Sequence, residues 1–155
     1  SNISAFTFSP DGQFVLAASS DGTVILWNLE GEVLRTSSES RIIISVTYAP
    51  DGQSVLAGFS DHTATLWDLK GNELQRFAGH ASDVLTVAFS PDNQTILTGS
   101  ADSTAKLWNL EGEELQTFSG HDDVLTRVAF LPDGQTILTG SKDATANIWK
   151  TQIER

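Results

Sequence analysis

Apolar residues along this chain come in short stretches cut off by polar turns. VLTVAF at 84–89 leads through the turn SPDNQ into TILTGS at 95–100, both rich in β-branched residues. A second turn, ADST, follows, then a third stretch ending in Trp108 and, after LEGE, a fourth, EELQTF. Alternation along a strand puts Leu97 and Gly99 on one face, Ile96 and Thr98 on the other; in the third stretch Ala105 and Leu107 oppose Trp108. No apolar stripe at helical spacing runs between the turns, so the pattern predicts strands and no helices. Both faces carry residues fit for burial. The four-stranded antiparallel meander should therefore be sandwiched between neighbours rather than wet on one side.

The unit recurs. Trp27, Trp67, Trp108 and Trp149 are spaced by 40, 41 and 41 residues, and Pro10, Pro50, Pro91 and Pro132 each stand 17 residues before one of them. Each proline opens a turn in which it pre-sets φ, an aspartate bonds its own backbone, and glycine or Asn93 tolerates a positive φ. The second turn recurs as SDGT, SDHT, ADST and KDAT, whereas the fourth strand is legible only in the first three copies. One domain of four units is expected, occupying 1–40, 41–80, 81–121 and 122–155.

Composition narrows the partners. With 9 Lys+Arg against 20 Asp+Glu the formal charge is −11, which excludes nucleic acid or an anionic membrane as main partner, because either needs a basic face. A charged partner should be basic. Without cysteine there is no disulfide framework or thiolate metal site; this leaves the compartment open, with a cytoplasmic setting as the working expectation. No apolar run approaches the roughly 20 residues of a membrane helix.

GH before the first strand, valine-x-x-valine-x-phenylalanine within it, the proline-aspartate-glycine turn, and aspartate six places before tryptophan together resemble the WD-repeat β-propeller family over essentially the whole chain. The wording of the repeats is similar to bacterial, especially cyanobacterial, members. The resemblance implies a hydrogen-bonded tetrad in each blade: His80, Thr98, Asp102 and Trp108 in the third copy, His121, Thr139, Asp143 and Trp149 in the fourth. A buried indole N–H needs an acceptor, and leaving one unmet costs about 1–3 kcal/mol. The same hydroxyl, imidazole and carboxylate could form a catalytic triad with Thr98 as nucleophile. A set that appears twice at a fixed period, each time with a tryptophan attached, argues for a staple instead. No catalytic, cofactor-binding or metal-ligating residue is expected. In the first two copies Ala17 and Ala57 replace the hydroxyl, and Glu39 or Ser40 stands where the second copy's histidine belongs. Those copies keep only Asp21 with Trp27 and Asp61 with Trp67, so their blades should be less cooperative.

Family members mostly close at seven or eight blades, so four make an arc: an all-β half-propeller with two apolar end faces. The expectation is a homodimer closed as an eight-bladed ring with C2 symmetry. The chain starts inside the first strand of the first copy and stops at WKTQIER, so the last blade should lack its outer strand and the segment should derive from a longer propeller.

The resemblance also implies a binding rim formed by residues three and five places after the histidine and by the residue before the tetrad aspartate. Carried across, these are Asn2, Ser4 and Ser20; Ile42, Ile44 and Ser60; Asp83, Leu85 and Ala101; Val124, Thr126 and Lys142. RIIIS places Ile43 inward and leaves Ile42 and Ile44 on the rim; with Leu85 and Val124 they form a candidate apolar partner site edged by Arg41, Asp83 and Lys142. Packing against loops or ring closure is the blander account. Asp11, Asp51, Asp92 and Asp133 lack the alternating carboxylates of a calcium loop and suit turn stabilisation. His62 fits a solvated turn, and GSADS has neither the lysine nor the helix of a phosphate loop. The function expected is a non-enzymatic protein-interaction scaffold. The alternatives are a duplicated structural segment with no ligand, or a channel-site hydrolase. The last needs convergent carboxylates or histidines on the innermost strands, where valine, phenylalanine, threonine and alanine prevail.

Overall fold

The computed structural model describes residues 2–153; Ser1, Glu154 and Arg155, the outermost residues of the first and last expected units, lie outside the described residues. All regular structure among them is β, as the alternation predicts. The first sheet comprises β1 (Ile3–Phe8), β2 (Phe14–Ser19), β3 (Thr23–Asn28) and β4 (Val33–Ser38); the second β5 (Ile43–Tyr48), β6 (Ser54–Phe59), β7 (Thr63–Asp68) and β8 (Glu73–Ala78). The third holds β9 (Val84–Phe89), β10 (Thr95–Ser100), β11 (Thr104–Asn109) and β12 (Glu114–Ser119); the last has three strands, β13 (Leu125–Phe130), β14 (Thr136–Ser141) and β15 (Ala146–Lys150). Every pairing is antiparallel between consecutive strands, so each sheet is a meander. Among the described residues no helix is long and apolar enough to cross a membrane.

The turns form as their chemistry dictates. Asp11 Oδ1 accepts from Ser9 Oγ at 2.6 Å and from the Gln13 N–H at 3.0 Å; Asp92 repeats both bonds, and Asp51 and Asp133 likewise accept the N–H two residues on. Asn93 takes φ 61° where the other three copies have Gly12, Gly52 and Gly134 at 70°, 69° and 65°.

Packing runs between sheets. β1 lies beside β5, β5 beside β9 and β9 beside β13, so the first strands follow one another around an axis. The buried clusters each join two neighbouring sheets. Leu16 and Ala18 meet Val46, Tyr48 and Val55; Leu56, Leu66 and Phe77 meet Val87, Ile96 and Trp108; Leu97, Leu107 and Phe118 meet Val128 and Ile137. β10 is buried along its whole length, as a strand covered on both faces must be.

Candidate functional site

The expected tetrads are assembled. In the third sheet Trp108 Nε1–H donates to Thr98 Oγ1 at 2.9 Å, Thr98 Oγ1 lies 2.7 Å from His80 Nε2, and His80 Nδ1 lies 2.8 Å from Asp102 Oδ2. The proton order follows from donors and acceptors: the Thr98 hydroxyl donates to Nε2, and Nδ1–H donates to the carboxylate. Burial pushes the His80 imidazole below its ordinary pKa, against the opposing pull of Asp102, so the neutral ring fits this order. Burial raises Asp102, but hydrogen bonds from Thr104 Oγ1, the Ala81 N–H and His80 outweigh it and bring its pKa to about 2. The fourth sheet repeats the set: Trp149 to Thr139 at 2.9 Å, His121 Nε2 to Thr139 at 2.8 Å, His121 Nδ1 to Asp143 at 2.8 Å. Hydrogen bonding from Thr145 holds the Asp143 carboxyl well below its usual range. A nucleophile must be reached, and Thr98 is 0% exposed beneath a tryptophan that is 2% exposed. The Thr98 constellation is a continuous chain of hydrogen bonds whose hydroxyl lies out of reach of solvent.

The rim residues meet at a different place. A cavity of about 630 Å³ runs along the axis, and Ser4, Ile44, Leu85 and Thr126 all line it. Each is the residue that the ladder skips. Between Ile3 and Ala5, Ile43 and Ser45, Val84 and Thr86, and Leu125 and Arg127 the register shifts by one, leaving a bulge on the innermost strand. A bulge re-aims the extra side chain away from the pleat. The partner positions are joined in pairs, since Ser20, Ser60, Ala101 and Lys142 donate their N–H to the carbonyls of Asn2, Ile42, Asp83 and Val124. Ile42 is 50% exposed beside a fully buried Ile43. Asp83 and Val124 are partly buried and Lys142 is exposed.

The family profile described as WD domain, G-beta repeat matches the sequence four times, over residues 1–28, 31–68, 71–109 and 112–150. The chain belongs to the WD-repeat family. No curated protein matches it. The matched units are out of phase with the sheets: 31–68 contains β4 of the first sheet together with β5, β6 and β7 of the second. Each of the last three matched repeats therefore ties two neighbouring blades together through one continuous stretch of chain.

The second blade of this WD-repeat protein corrects two sequence expectations. Arg41, expected at the rim's edge, turns inward, and Asp61 is not left with only a tryptophan for company. The guanidinium stacks over the Phe59 ring at 3.9 Å, bonds Thr65 Oγ1 at 3.1 Å and Thr63 Oγ1 at 3.3 Å, and pairs with Glu39 at 3.1 Å and Asp61 at 3.6 Å. Phe59, which stands where the other blades have Ser19, Ser100 and Ser141, packs edge-on against Trp67 at 5.6 Å. The cause is a deletion. The link from β4 to β5 spans residues 39–42, whereas the next two, at 79–83 and 120–124, have one residue more and carry His80 and His121. With neither histidine nor hydroxyl, an arginine–aromatic cluster ties the loop to β7. The signal was in the sequence, as Phe59 in the serine column and threonine at 65, but only the fold brings Arg41 to both.

Proposed function

We propose that this WD-repeat chain is a protein-interaction scaffold whose partner seats at the mouth of the axial cavity, on Ile44, Leu85 and Thr126, with Ile42 at the border. The carrying observation is the row of four bulges: each blade departs from regular pairing at the same place, and each departure sends a side chain to the same opening. Val124, Asp83, Ser60, Ala101 and Lys142 frame that opening and set its polarity. The family's role in protein–protein interaction and the sealed tetrads favour this reading over chemistry at Thr98. Panning a displayed peptide library on the protein tests it. Peptides enriched on the wild type should lose binding to the Ile42→Ser/Leu85→Ser variant while its melting temperature stays unchanged. Equal binding to both, or a matching thermal loss, would refute the rim.

We infer further that a second copy closes the ring into eight blades. Support comes from the two outer faces, which repeat the halves of the internal seams. Phe6, Phe8 and Trp27 hold the places of Val46, Tyr48 and Trp67, forty residues on, yet Phe6 is 65% exposed. Leu138 and Ile148 hold the places of the fully buried Leu97 and Leu107, yet Ile148 is 70% exposed. Light scattering at micromolar concentration should give the mass of two chains, and Phe8→Asp or Ile148→Asp should give one; a wild-type monomer rejects closure.

A further inference from the structure

The three seams between blades are built to one plan, and one of them is missing a side chain. In the second seam Phe77 of β8 sits among Leu56, Ala64 and Leu66 of its own blade and Phe89, Ile96 and Trp108 of the next, its ring 5.8 Å from the indole of Trp108. In the third, Phe118 of β12 sits among the corresponding residues, 5.6 Å from the indole of Trp149. Both phenylalanines are nearly fully buried. Pairing fixes the equivalent in the first seam: Phe77 faces Ala64, Phe118 faces Ala105, and Ser37 faces Val24. A serine occupies the phenylalanine's place.

The gap is open. A pocket of about 200 Å³ lies there, with Leu16, Val24 and Leu26 on one wall, Tyr48, Val55 and Trp67 on the other, and Ser37 at its edge. These six wall residues are the counterparts of the six that surround Phe77. Val24, where the other blades have alanine, fills part of the space. Trp67 is only partly buried, whereas its counterpart Trp108 is closed over. Arg35 reaches across from the first blade, its Nη1 3.4 Å from the Leu69 carbonyl, and bounds the pocket beside the second blade's last turn.

We propose that this gap is a binding site for a small neutral molecule bearing one aromatic ring, held against Trp67 as Phe77 is held against Trp108. The six wall side chains are aliphatic or aromatic, with Arg35, Glu39 and Asp68 also in the lining, so the part of the occupant held between the walls is uncharged. An offset or edge-on ring on the indole adds about 0.5–1.5 kcal/mol beyond area burial. The volume selects a single ring: an apolar cavity of about 150 Å³ takes benzene, whereas sites for larger ligands begin at about 300 Å³. The site is separate from the axial mouth and does not depend on the proposed function.

Fluorobenzene, followed by ¹⁹F NMR, tests it. The wild type should bind saturably at one site. Ser37→Phe should weaken that binding at least about tenfold and raise the melting temperature, because it supplies the missing ring. Phe77→Ser, which opens the same gap over Trp108, should raise the number of sites from one to two. Labelling with 5-fluorotryptophan gives a readout independent of any pocket-filling variant: of the four indole resonances, only that of Trp67, assigned with Trp67→Phe, should move on titration. No saturable binding, undiminished binding to folded Ser37→Phe, or a still Trp67 resonance would overturn the proposal.

Discussion

Replacing Thr98 with valine removes one hydroxyl from the third blade and almost nothing else, since the two side chains have nearly the same shape. The Trp108 N–H loses its acceptor at 2.9 Å and His80 Nε2 loses its donor at 2.7 Å, in a place where Thr98 is fully buried. Each buried group left unmet costs about 1–3 kcal/mol, and the two share one oxygen, so the expected loss is about 2–4 kcal/mol. That is a large share of the roughly 5–15 kcal/mol that holds a domain together. Urea unfolding at neutral pH measures it. The partner experiment adds the hydroxyl where it is missing: Ala57→Thr should gain less than about 1 kcal/mol, because the second blade offers no histidine to receive the proton. A loss below about 1 kcal/mol for Thr98→Val, or an equal gain for Ala57→Thr, would show that the tetrad does not act as a unit.

Other outcomes follow from the same geometry. His80 and Asp102 both hold fewer protons folded than unfolded, so stability should fall as pH drops, first through the ordinary histidine value of 6.5 and again between 3.8 and about 2. Urea midpoints across that range check this, and Asp102→Asn should shrink the lower step without abolishing it, because the Asp133 and Asp143 carboxyls are lowered too. Arg41→Lys keeps the charge but loses the stack on Phe59 and the forked bonds to Thr63 and Thr65, and should cost about 1–3 kcal/mol in the same assay. Ala144 sits at φ 67°, a left-handed conformation that disfavours a Cβ, so Ala144→Gly should raise stability by about 1 kcal/mol by thermal unfolding. A Cβ on Gly99 would come within 2.7 Å of both Thr86 Cγ2 and Val128 Cγ1, so Gly99→Ala should wedge the third seam and cost about 1–3 kcal/mol.

What could be read beforehand divides along a physical line. Strand positions, turns and the two complete tetrads were legible because each is written locally or at a fixed period: Pro91 to Trp108, Thr98 to Asp102. The bulges at Ser4, Ile44, Leu85 and Thr126 were not, since a skipped residue leaves the alternation of apolar and polar positions intact to the eye and shows only when two strands are set in register. Arg41 was placed at the rim because its number puts it next to Ile42. Its actual neighbours, Phe59 and Thr65, lie on two strands, β6 and β7, and the shortened link in which Arg41 itself stands brings it to them. Ser37 carried the plainest mark, a serine in the column of Phe77 and Phe118. That mark gains meaning only once Phe77 is seen to close a seam around Trp108.

The departures concentrate in one place. The second blade lacks the tetrad hydroxyl and histidine, and the face it turns to the first blade lacks the covering phenylalanine, so Trp67 is relieved of its hydrogen bond and of its lid together. A tetrad holds an indole by its N–H; a phenylalanine holds it by its face. With both removed, the ring rests on Phe59 and the buried cluster of the first seam and faces the open gap where the covering phenylalanine would sit. The neighbouring seams can carry that loss because each blade is fixed by its own contacts to the next, and stability in such arrays sums over adjacent pairs rather than depending on every pair alike. A repeat architecture can therefore open one seam without unfolding the rest, and the Arg41 cluster keeps the opened seam from parting: it ties the incoming loop to β7 from within the second blade and asks nothing of the surface that Trp67 presents.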